Sequence, residues 1–336
     1  MRGSIALVYI FVEAAIVTLC FVCSRVDDSA ISISIVDDAI SINYYDKERR
    51  FNMGKVGIVT ESTNCLPKEV IKQYDIRVAA YHLNLGTKLY LDQIDITPAE
   101  FWKMFKTLKK LPTTGTPSPG EYAAIYTELA KSTDSIVSLV LSTALSATNK
   151  AAMVAMDMVM EEHPGLKIEL VDTRTAAGAQ GLIALEAARA AQAGKSLSEV
   201  VKVAQDMVPK VKYVFALDTL KYLIRGGRAP KTAVIGELMG VKPILGIVSD
   251  KGLVDSLGRE RGKEKAMLKL VELVKEYTDT SKPLHVIVHF TDDIEAGEQL
   301  KKLVTSRYNC AEVYMSDFTP VMTTHTGPCV SLSFYS

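Results

Sequence analysis

The sequence has few cysteines, few aromatic residues and no net charge. Five cysteines in 336 residues cannot all pair, which excludes a disulfide-stabilised scaffold and favours a reducing compartment, the cytoplasm. Lys plus Arg and Asp plus Glu both number 39, so the basic surplus typical of nucleic-acid binding is missing. Aromatic residues make up 7% of the chain, with one Trp, and we therefore expect an aliphatic α/β core.

Several signature motifs are also missing. There is no GxxxxGK[ST] phosphate loop, no GxGxxG after a strand, no HExxH and no GxSxG. We therefore expect no nucleotide, dinucleotide or metal cofactor. The 48% hydrophobic and 23% charged content is ordinary for a globular protein and argues against disorder, collagen or a polytopic membrane protein.

Residues 1–53 differ from the rest of the chain. An apolar run, Ile5 to Cys23, precedes a tract rich in Ser, Ile and Asp. Three interpretations stay open: a non-native or mis-called extension, which we favour, an amphipathic or membrane-associated segment, and a cleaved signal. Glu13 lies near the middle of the apolar run, and the sequence from Met53 reads like a protein start followed by a core strand. We predict a non-core extension over 1–53 and no stable membrane span in the core.

From residue 54 onward, short apolar runs alternate with helical patterns. Up to residue 210 the βαβα order predicts a doubly wound, mostly parallel sheet, with a single strand over 76–85. After Pro209 the pattern changes to a hairpin at 243–258 and further strands and helices. We predict an N-terminal α/β domain over 54–210 and a C-terminal α+β domain over 211–336.

Three hydroxyl-rich turns follow strands of the first domain. They are TESTNCLP (60–67), PTTGTPSPGEY (112–122) and STALSAT (142–148). Ligands of open α/β sheets bind beyond the carboxyl ends of strands, where helix N-termini offer N–H groups and hydroxyls can donate to an anion. The same hydroxyls are typical of helix caps, and Ser118 with Glu121 forms a capping box. On spacing alone, both interpretations stay open.

Two further turns lie in the second domain. Arg225 and Arg228 flank a glycine pair, an arrangement that can clamp a carboxylate or phosphate but is also common in exposed loops. His325 begins the turn HTGP (325–328), and a lone histidine is more often structural than functional.

Together these motifs resemble the DegV family of bacterial lipid-binding proteins. TESTNCLP resembles the family's TDSTSDLP, PTTGTPSPGEY its PTTSQPSPGEF, STALSAT its SSxLSGT, YLIRGGR (222–228) its YLKKGGR, VKPIL (241–245) its IKPIL, and HTGP its HTGPG. The six motifs keep their order over about 54–336. The chain departs from the family pattern at Glu61, Cys65, Gly115, Thr116, Thr143, Ala147 and Cys329.

The resemblance implies a fold of two domains with a long-chain fatty acid in a tunnel between them. In the family, hydroxyls of the second and third motifs hold the carboxylate, which carries over to Thr114 and Ser142 here. The full set of ligand-binding residues that we predict is Thr114, Ser118, Ser142, Thr143, Arg228, His325 and Thr326.

The resemblance also bears on partners. Some members present the acyl chain to a separate kinase of the dihydroxyacetone-kinase type, which makes acyl phosphate. Because this chain has no nucleotide loop, we predict a non-catalytic carrier. Two alternatives remain, a hydrolase acting on acyl esters through a Ser or Thr with His325, and a sugar- or phosphate-binding module.

Overall fold

A computed structural model of the chain describes residues 29–36, 39–46, 55–230 and 240–336. The chain divides into two compact units, Met1–Gly54 and Lys55–Ser336. In the first unit, strands β1 (Ser29–Val36) and β2 (Ala39–Asp46) pair as an antiparallel hairpin. The apolar run over 5–23 lies outside the described residues, so the interpretation of 1–53 stays a prediction.

The second unit contains thirteen strands and ten α-helices among its described residues. In chain order the strands are β3 (Gly57–Glu61), β4 (Ile76–Ala79), β5 (His82–Leu85), β6 (Lys88–Leu91), β7 (Thr113–Gly115), β8 (Ser135–Val140), β9 (Lys167–Asp172), β10 (Lys212–Leu217), β11 (Val241–Ile247), β12 (Asp255–Arg261), β13 (Leu284–Phe290), β14 (Cys310–Asp317) and β15 (Cys329–Tyr335). The helices are α1 (Lys68–Gln73), α2 (Pro98–Phe105), α3 (Pro119–Ala130), α4 (Thr148–Glu162), α5 (Ala177–Gln192), α6 (Leu197–Met207), α7 (Lys221–Arg225), α8 (Lys263–Tyr277), α9 (Ile294–Arg307) and α10 (Pro320–Thr326). None of the helices that are described is long and apolar enough to cross a membrane.

The first sheet is parallel throughout, in the order β4-β3-β8-β9. Neighbouring residues along its strands face opposite sides, as strand geometry requires. Val59 and Ile136 pack toward α3 and α4, whereas Ile58 and Val137 pack toward α5. Helices therefore cover both faces, which confirms the predicted doubly wound architecture.

A three-stranded antiparallel sheet, in the order β6-β5-β7, stands beside the first sheet. The prediction of a single strand over 76–85 was wrong, because β4 pairs with β3 in the parallel sheet while β5 pairs with β6 and β7 in the small one. In β7, Thr114 lies opposite Leu83 of β5. The small sheet therefore positions the second hydroxyl-rich motif.

The second sheet has six strands in the order β12-β11-β10-β15-β13-β14. All its pairs are antiparallel except β13 with β14. Helices α8 and α9 pack on one face, and the other face turns toward α5. The predicted hairpin is formed by β11 and β12, with Gly252 in its loop at φ +64°. This architecture confirms the predicted α+β half.

Helix α5 packs against both large sheets and is almost entirely buried. Its many alanines and glycines allow close approach: a Cβ added at Gly181 would lie 2.5 Å from the carbonyl oxygen of Asn64. Near its other end, Arg189 donates to Glu312 of β14 at 2.6 and 2.9 Å. The residues from Lys55 to Ser336 form one compact unit, and a domain boundary near 210 stays a prediction.

Replacing Gly181 by alanine tests this packing. Because the nearest obstacle is backbone rather than a flexible side chain, Gly181→Ala should lower the free energy of unfolding by about 1–3 kcal/mol. Gly120 of α3 is the matched control, since a Cβ added there would have nothing within 4 Å. Gly120→Ala should leave the melting temperature equal or higher. Equal melting temperatures for both variants would show that α5 has room to move.

Candidate ligand-binding site

A cavity lies between the two large sheets and is lined by residues from both halves of the unit. Its wall is mainly aliphatic. The apolar lining residues are Leu141, Leu145, Ala176, Phe215, Leu223, Ile247, Val254, Val321 and Met322. Such a wall offers no hydrogen bonds and favours an apolar ligand.

Three polar side chains stand together at this cavity: Thr114, Arg228 and His325. The Thr114 hydroxyl and His325 Nε2 are 3.0 Å apart, although they are 211 residues apart in sequence. The glycine turn comes close to this pair, since a Cβ at Gly226 would lie 2.5 Å from His325 Nδ1. The sequence therefore brings the second motif, the glycine turn and the C-terminal motif to one point.

The same three residues also line a second, more polar cavity. Thr113, Arg225 and Thr324 contribute to its wall. Thr114, Arg228 and His325 thus separate an apolar space from a polar one. A molecule with an apolar chain and a charged head group matches that division.

His325 is neutral at physiological pH. Burial of its ring, and to a smaller extent the cation of Arg228, lower the pKa of His325 to about 4. Its Nδ1 is buried without a hydrogen-bond partner among the described residues. Arg228 itself donates through Nε to the carbonyl of Leu145 at 3.1 Å and through a terminal nitrogen to the carbonyl of Gly226. The site therefore holds one fixed cation and one unsatisfied ring nitrogen.

The hydroxyls of the third motif differ in burial and in whether they line the cavity. Ser142 is buried and donates to the carbonyl of Gly252 at 2.7 Å, and Thr143 is exposed and donates to Asp172 at 2.6 Å. Neither is part of the cavity lining. Ser146 does line the cavity, and its hydroxyl lies 3.0 Å from that of Tyr81.

Of the other predicted residues, one lines the cavity and one does not. Thr326 lines the cavity and donates to the carbonyls of Met322 and Gly327, both at 3.1 Å. Ser118 is exposed and forms the predicted capping box with Glu121, which confirms the cap. The structure therefore brings Thr114, Arg228, His325 and Thr326 together and leaves Ser118, Ser142 and Thr143 outside the lining.

Four polar lining residues, Thr63, Tyr81, Ser146 and Tyr213, were not among the predicted ligand-binding residues. Thr63 and Ser146 lie within the first and third motifs, so membership of a hydroxyl-rich turn was the available signal. Tyr81 follows a strand in a sequence without a motif, and only its long-range contact with Ser146 reveals it.

The buried carboxylate of Glu61 joins the first and third motifs by hydrogen bonds. Glu61 is fully buried and accepts hydrogen bonds from Tyr122 and Thr148, each at 2.6 Å, from Leu141 N at 2.7 Å and from Gln180 at 3.0 Å. Burial raises the pKa of Glu61, while these hydrogen bonds favour its ionised form.

Helix α10, which carries His325, is held by a second buried carboxylate. Asp92 accepts from the backbone N–H of Val321 at 3.2 Å, across 229 residues. Its other oxygen has no partner among the described residues, and burial raises the pKa of Asp92 to about 7. The small sheet and the C-terminal motif are thereby joined.

Comparison with known proteins gives a consistent result. The model of the DegV family, described as a family of uncharacterised proteins, matches residues 55–336. A DegV domain-containing protein of Caldanaerobacter subterraneus subsp. tengcongensis is 31% identical over 284 residues, which are 84% of this chain and 99% of that protein.

Solved structures agree in fold. A DegV family protein from Thermus thermophilus, described as binding fatty acid, superimposes with a TM-score of 0.76 at 29% identity over 84% of this chain and 99% of that one. DegV of Bacillus subtilis, described as a fatty acid binding protein, gives a TM-score of 0.73 at 30% identity with the same coverage.

The support from Glu61 can be tested by an isosteric change. In Glu61→Gln an amide NH₂ must face two groups that both donate, so at least one buried donor loses its acceptor. We expect the free energy of unfolding to fall by about 1–3 kcal/mol. The exposed Glu69 of α1 supplies the control, and Glu69→Gln should unfold like the parent protein in urea. Equal stability of Glu61→Gln would mean that the buried carboxylate is already protonated.

Proposed function

The chain belongs to the DegV family, and we propose that it binds one long-chain fatty acid in the apolar cavity, with the carboxylate beside Thr114, Arg228 and His325. The observation that carries this proposal is the change from an aliphatic wall to that polar group at a single place. Each methylene that leaves water contributes about 0.8 kcal/mol, so an acyl chain gains most of its affinity from the wall.

The carboxylate needs partners because an unpaired charge is costly to bury. Thr114 offers a hydroxyl, Arg228 a cation, and His325 a ring nitrogen that lacks a partner among the described residues. A carboxylate placed among them would accept hydrogen bonds from groups that are already positioned. It would also favour a protonated His325, opposing the burial that now lowers the pKa of this side chain.

Ser142 takes part in this proposal on a condition. Its hydroxyl proton now rests on the carbonyl of Gly252, so it can hold a carboxylate only after releasing that loop. Ser146, which already faces the cavity, needs no such change. We therefore propose Thr114 as the principal hydroxyl, with Ser146 beside the cavity, and Ser142 as a further hydroxyl that takes part only when the loop is released.

A carrier fits the site better than a hydrolase. Thr114 and His325 are within the distance of a nucleophile and its base. A histidine that acts as a base is normally oriented through its other ring nitrogen, and here Nδ1 has no partner in the part of the chain that the structure describes. The alternative of an acyl-ester hydrolase therefore lacks its third group.

We further propose that the carrier presents its ligand to a separate fatty acid kinase in the cytoplasm. The polar cavity on the far side of Thr114, Arg228 and His325 would give a phosphoryl donor access to the carboxylate. Cys65, Cys310 and Cys329 are free thiols, which suits a reducing compartment.

The ligand can be identified directly. Native mass spectrometry of the purified protein, followed by organic extraction, should show one long-chain fatty acid for each chain. The long acyl chain buries enough methylenes for the ligand to survive purification. Recovery of a nucleotide or a sugar phosphate in its place would refute the proposal.

Affinity measurements on delipidated variants test the carboxylate site. A hydrogen bond to a charged group contributes about 1.5–3 kcal/mol, so Thr114→Val should weaken palmitate binding about tenfold or more. Ser142→Ala should weaken it less, because a bond from Ser142 to the carboxylate replaces the bond to Gly252. Arg228→Ala should affect transfer to a kinase more than binding of the chain.

Thr97→Ala is the control for these variants, because Thr97 caps α2 in an exposed capping box. It should lower the melting temperature, at a cost of about 1 kcal/mol, and leave palmitate affinity unchanged. If palmitate binds both hydroxyl variants as tightly as the parent protein, neither hydroxyl holds the carboxylate.

A further inference from the structure

Four buried polar atoms in the second sheet have no hydrogen-bond partner among the described residues: Tyr213 Oη, His289 Nε2, Ser331 Oγ and Ser333 Oγ. Their residues are at most 2% exposed. Such atoms are rare in proteins, since each costs about 1–3 kcal/mol when nothing satisfies it. Their grouping therefore requires an explanation.

The four residues share one face of the sheet. Tyr213 of β10 lies opposite Ser333 of β15, and His289 of β13 lies opposite Ser331 of the same strand. Side chains of directly paired residues point to the same side, about 5 Å apart. Together they form a polar patch, which we define as Tyr213, His289, Ser331 and Ser333.

The first turn of α5 approaches this patch. A Cβ added at Gly178 would overlap His289 Nε2 and lie 3.0 Å from Ser333 Oγ. The N-cap residue is Ala176, and no side chain caps this helix. The patch therefore lies beside a buried helix end whose N–H groups carry partial positive charge.

The patch meets the acyl cavity at Tyr213, the one of its four residues that lines the cavity, and Ala176 at the start of α5 lines the cavity as well. Leu217, at the other end of β10, pairs with Cys329 just after the HTGP motif. Tyr213 is four residues from that end, about 13 Å along the strand. Tyr213 is therefore far from the proposed carboxylate site, and its neighbours Phe215 and Ile247 are apolar.

The protonation states suit a hydroxyl ligand. Nδ1 of His289 lies 3.3 Å from the carbonyl of Ser316, which can only accept, so the proton is on Nδ1 and Nε2 is an acceptor. Burial keeps this ring neutral by lowering its pKa to about 4. Burial also raises the pKa of Tyr213, so its hydroxyl stays protonated and can donate.

We propose that the polar patch makes the cavity selective for acyl chains that carry a hydroxyl group far from the carboxylate. This selectivity rests on the proposed fatty acid binding and restricts the ligand from fatty acids in general to hydroxy fatty acids. A ligand hydroxyl can accept a hydrogen bond from the Tyr213 hydroxyl, the patch group that lines the cavity, and the two serines and His289 lie behind it. A site that contains buried polar groups discriminates against an analogue that leaves them unpaired.

Titration calorimetry with the delipidated full chain tests the selectivity. The ligands are stearate and its 2-hydroxy, 10-hydroxy and 12-hydroxy derivatives. One added hydrogen bond should make at least one of the two mid-chain hydroxy acids bind about three- to tenfold more tightly than stearate. The 2-hydroxy acid carries its hydroxyl beside the carboxylate and should show no such gain.

Tyr213→Phe removes the hydroxyl and keeps the ring that stacks on Phe215 at 4.7 Å. It should abolish the gain while stearate binds as before or more tightly. Tyr126→Phe is the matched control: Tyr126 is equally buried, and its hydroxyl donates to Ser138 on the other face of the first sheet. That variant should keep the gain. If Tyr213→Phe folds poorly, Ser331→Ala provides the same test.

The outcomes are distinguishable. If stearate binds at least as tightly as both mid-chain hydroxy acids, the selectivity is overturned and fatty acid binding stands. That result is expected if ordered water already satisfies the patch. A gain that persists in both Tyr213→Phe and Ser331→Ala also overturns it. Failure of the parent protein to bind any of the four acids overturns both proposals.

Discussion

The buried carboxylate of Glu61 is the interaction on which the site depends. It stands at the carboxyl end of β3 and receives hydrogen bonds from α3, α4, α5 and the residue after β8. A buried carboxylate is tolerated only when its oxygens are satisfied, so these elements must meet at one place. By the resemblance, the family has an aspartate here, and glutamate keeps the carboxylate. The first and third hydroxyl-rich motifs are positioned by that meeting point.

Helix α5 determines the separation of the two sheets. Its alanines and glycines fill little space, so the sheets come close wherever the helix lies between them. The helix begins at Ala177. In the space before its N-terminus no described helix fills the gap, and apolar side chains of β10 and β11 line an open space there. The cavity is therefore the region that a small-residue helix leaves unfilled, and its aliphatic wall is the exposed part of the shared core.

Features that depend on local sequence were predictable, and features that depend on distant contacts were not. The βαβα alternation and the capping box at Ser118 follow from neighbouring residues, and the structure confirms them. The break between β4 and β5 depends on which strands pair with each half. Likewise, the partner of Ser142 lies 110 residues away and that of Tyr81 65 residues away, distances over which no periodicity gives information. Motif order indicated the ligand class, but only the fold distinguishes hydroxyls that face the cavity from those already bonded.

The hydrogen bond from Ser142 to Gly252 has a consequence for how the cavity exchanges its contents. A hydroxyl has a single proton, so Ser142 can hold the β11–β12 loop or an incoming anion, but not both at once. If Ser142 holds the carboxylate as proposed, occupancy of the cavity and attachment of the loop are thermodynamically linked: the free energy that the anion gains at Ser142 is reduced by the loss of the loop contact, and a detached loop favours occupancy by the same amount. A protein that detaches the loop from Ser142 would then favour retention of the ligand, and one that holds the loop against Ser142 would favour its release without touching the ligand.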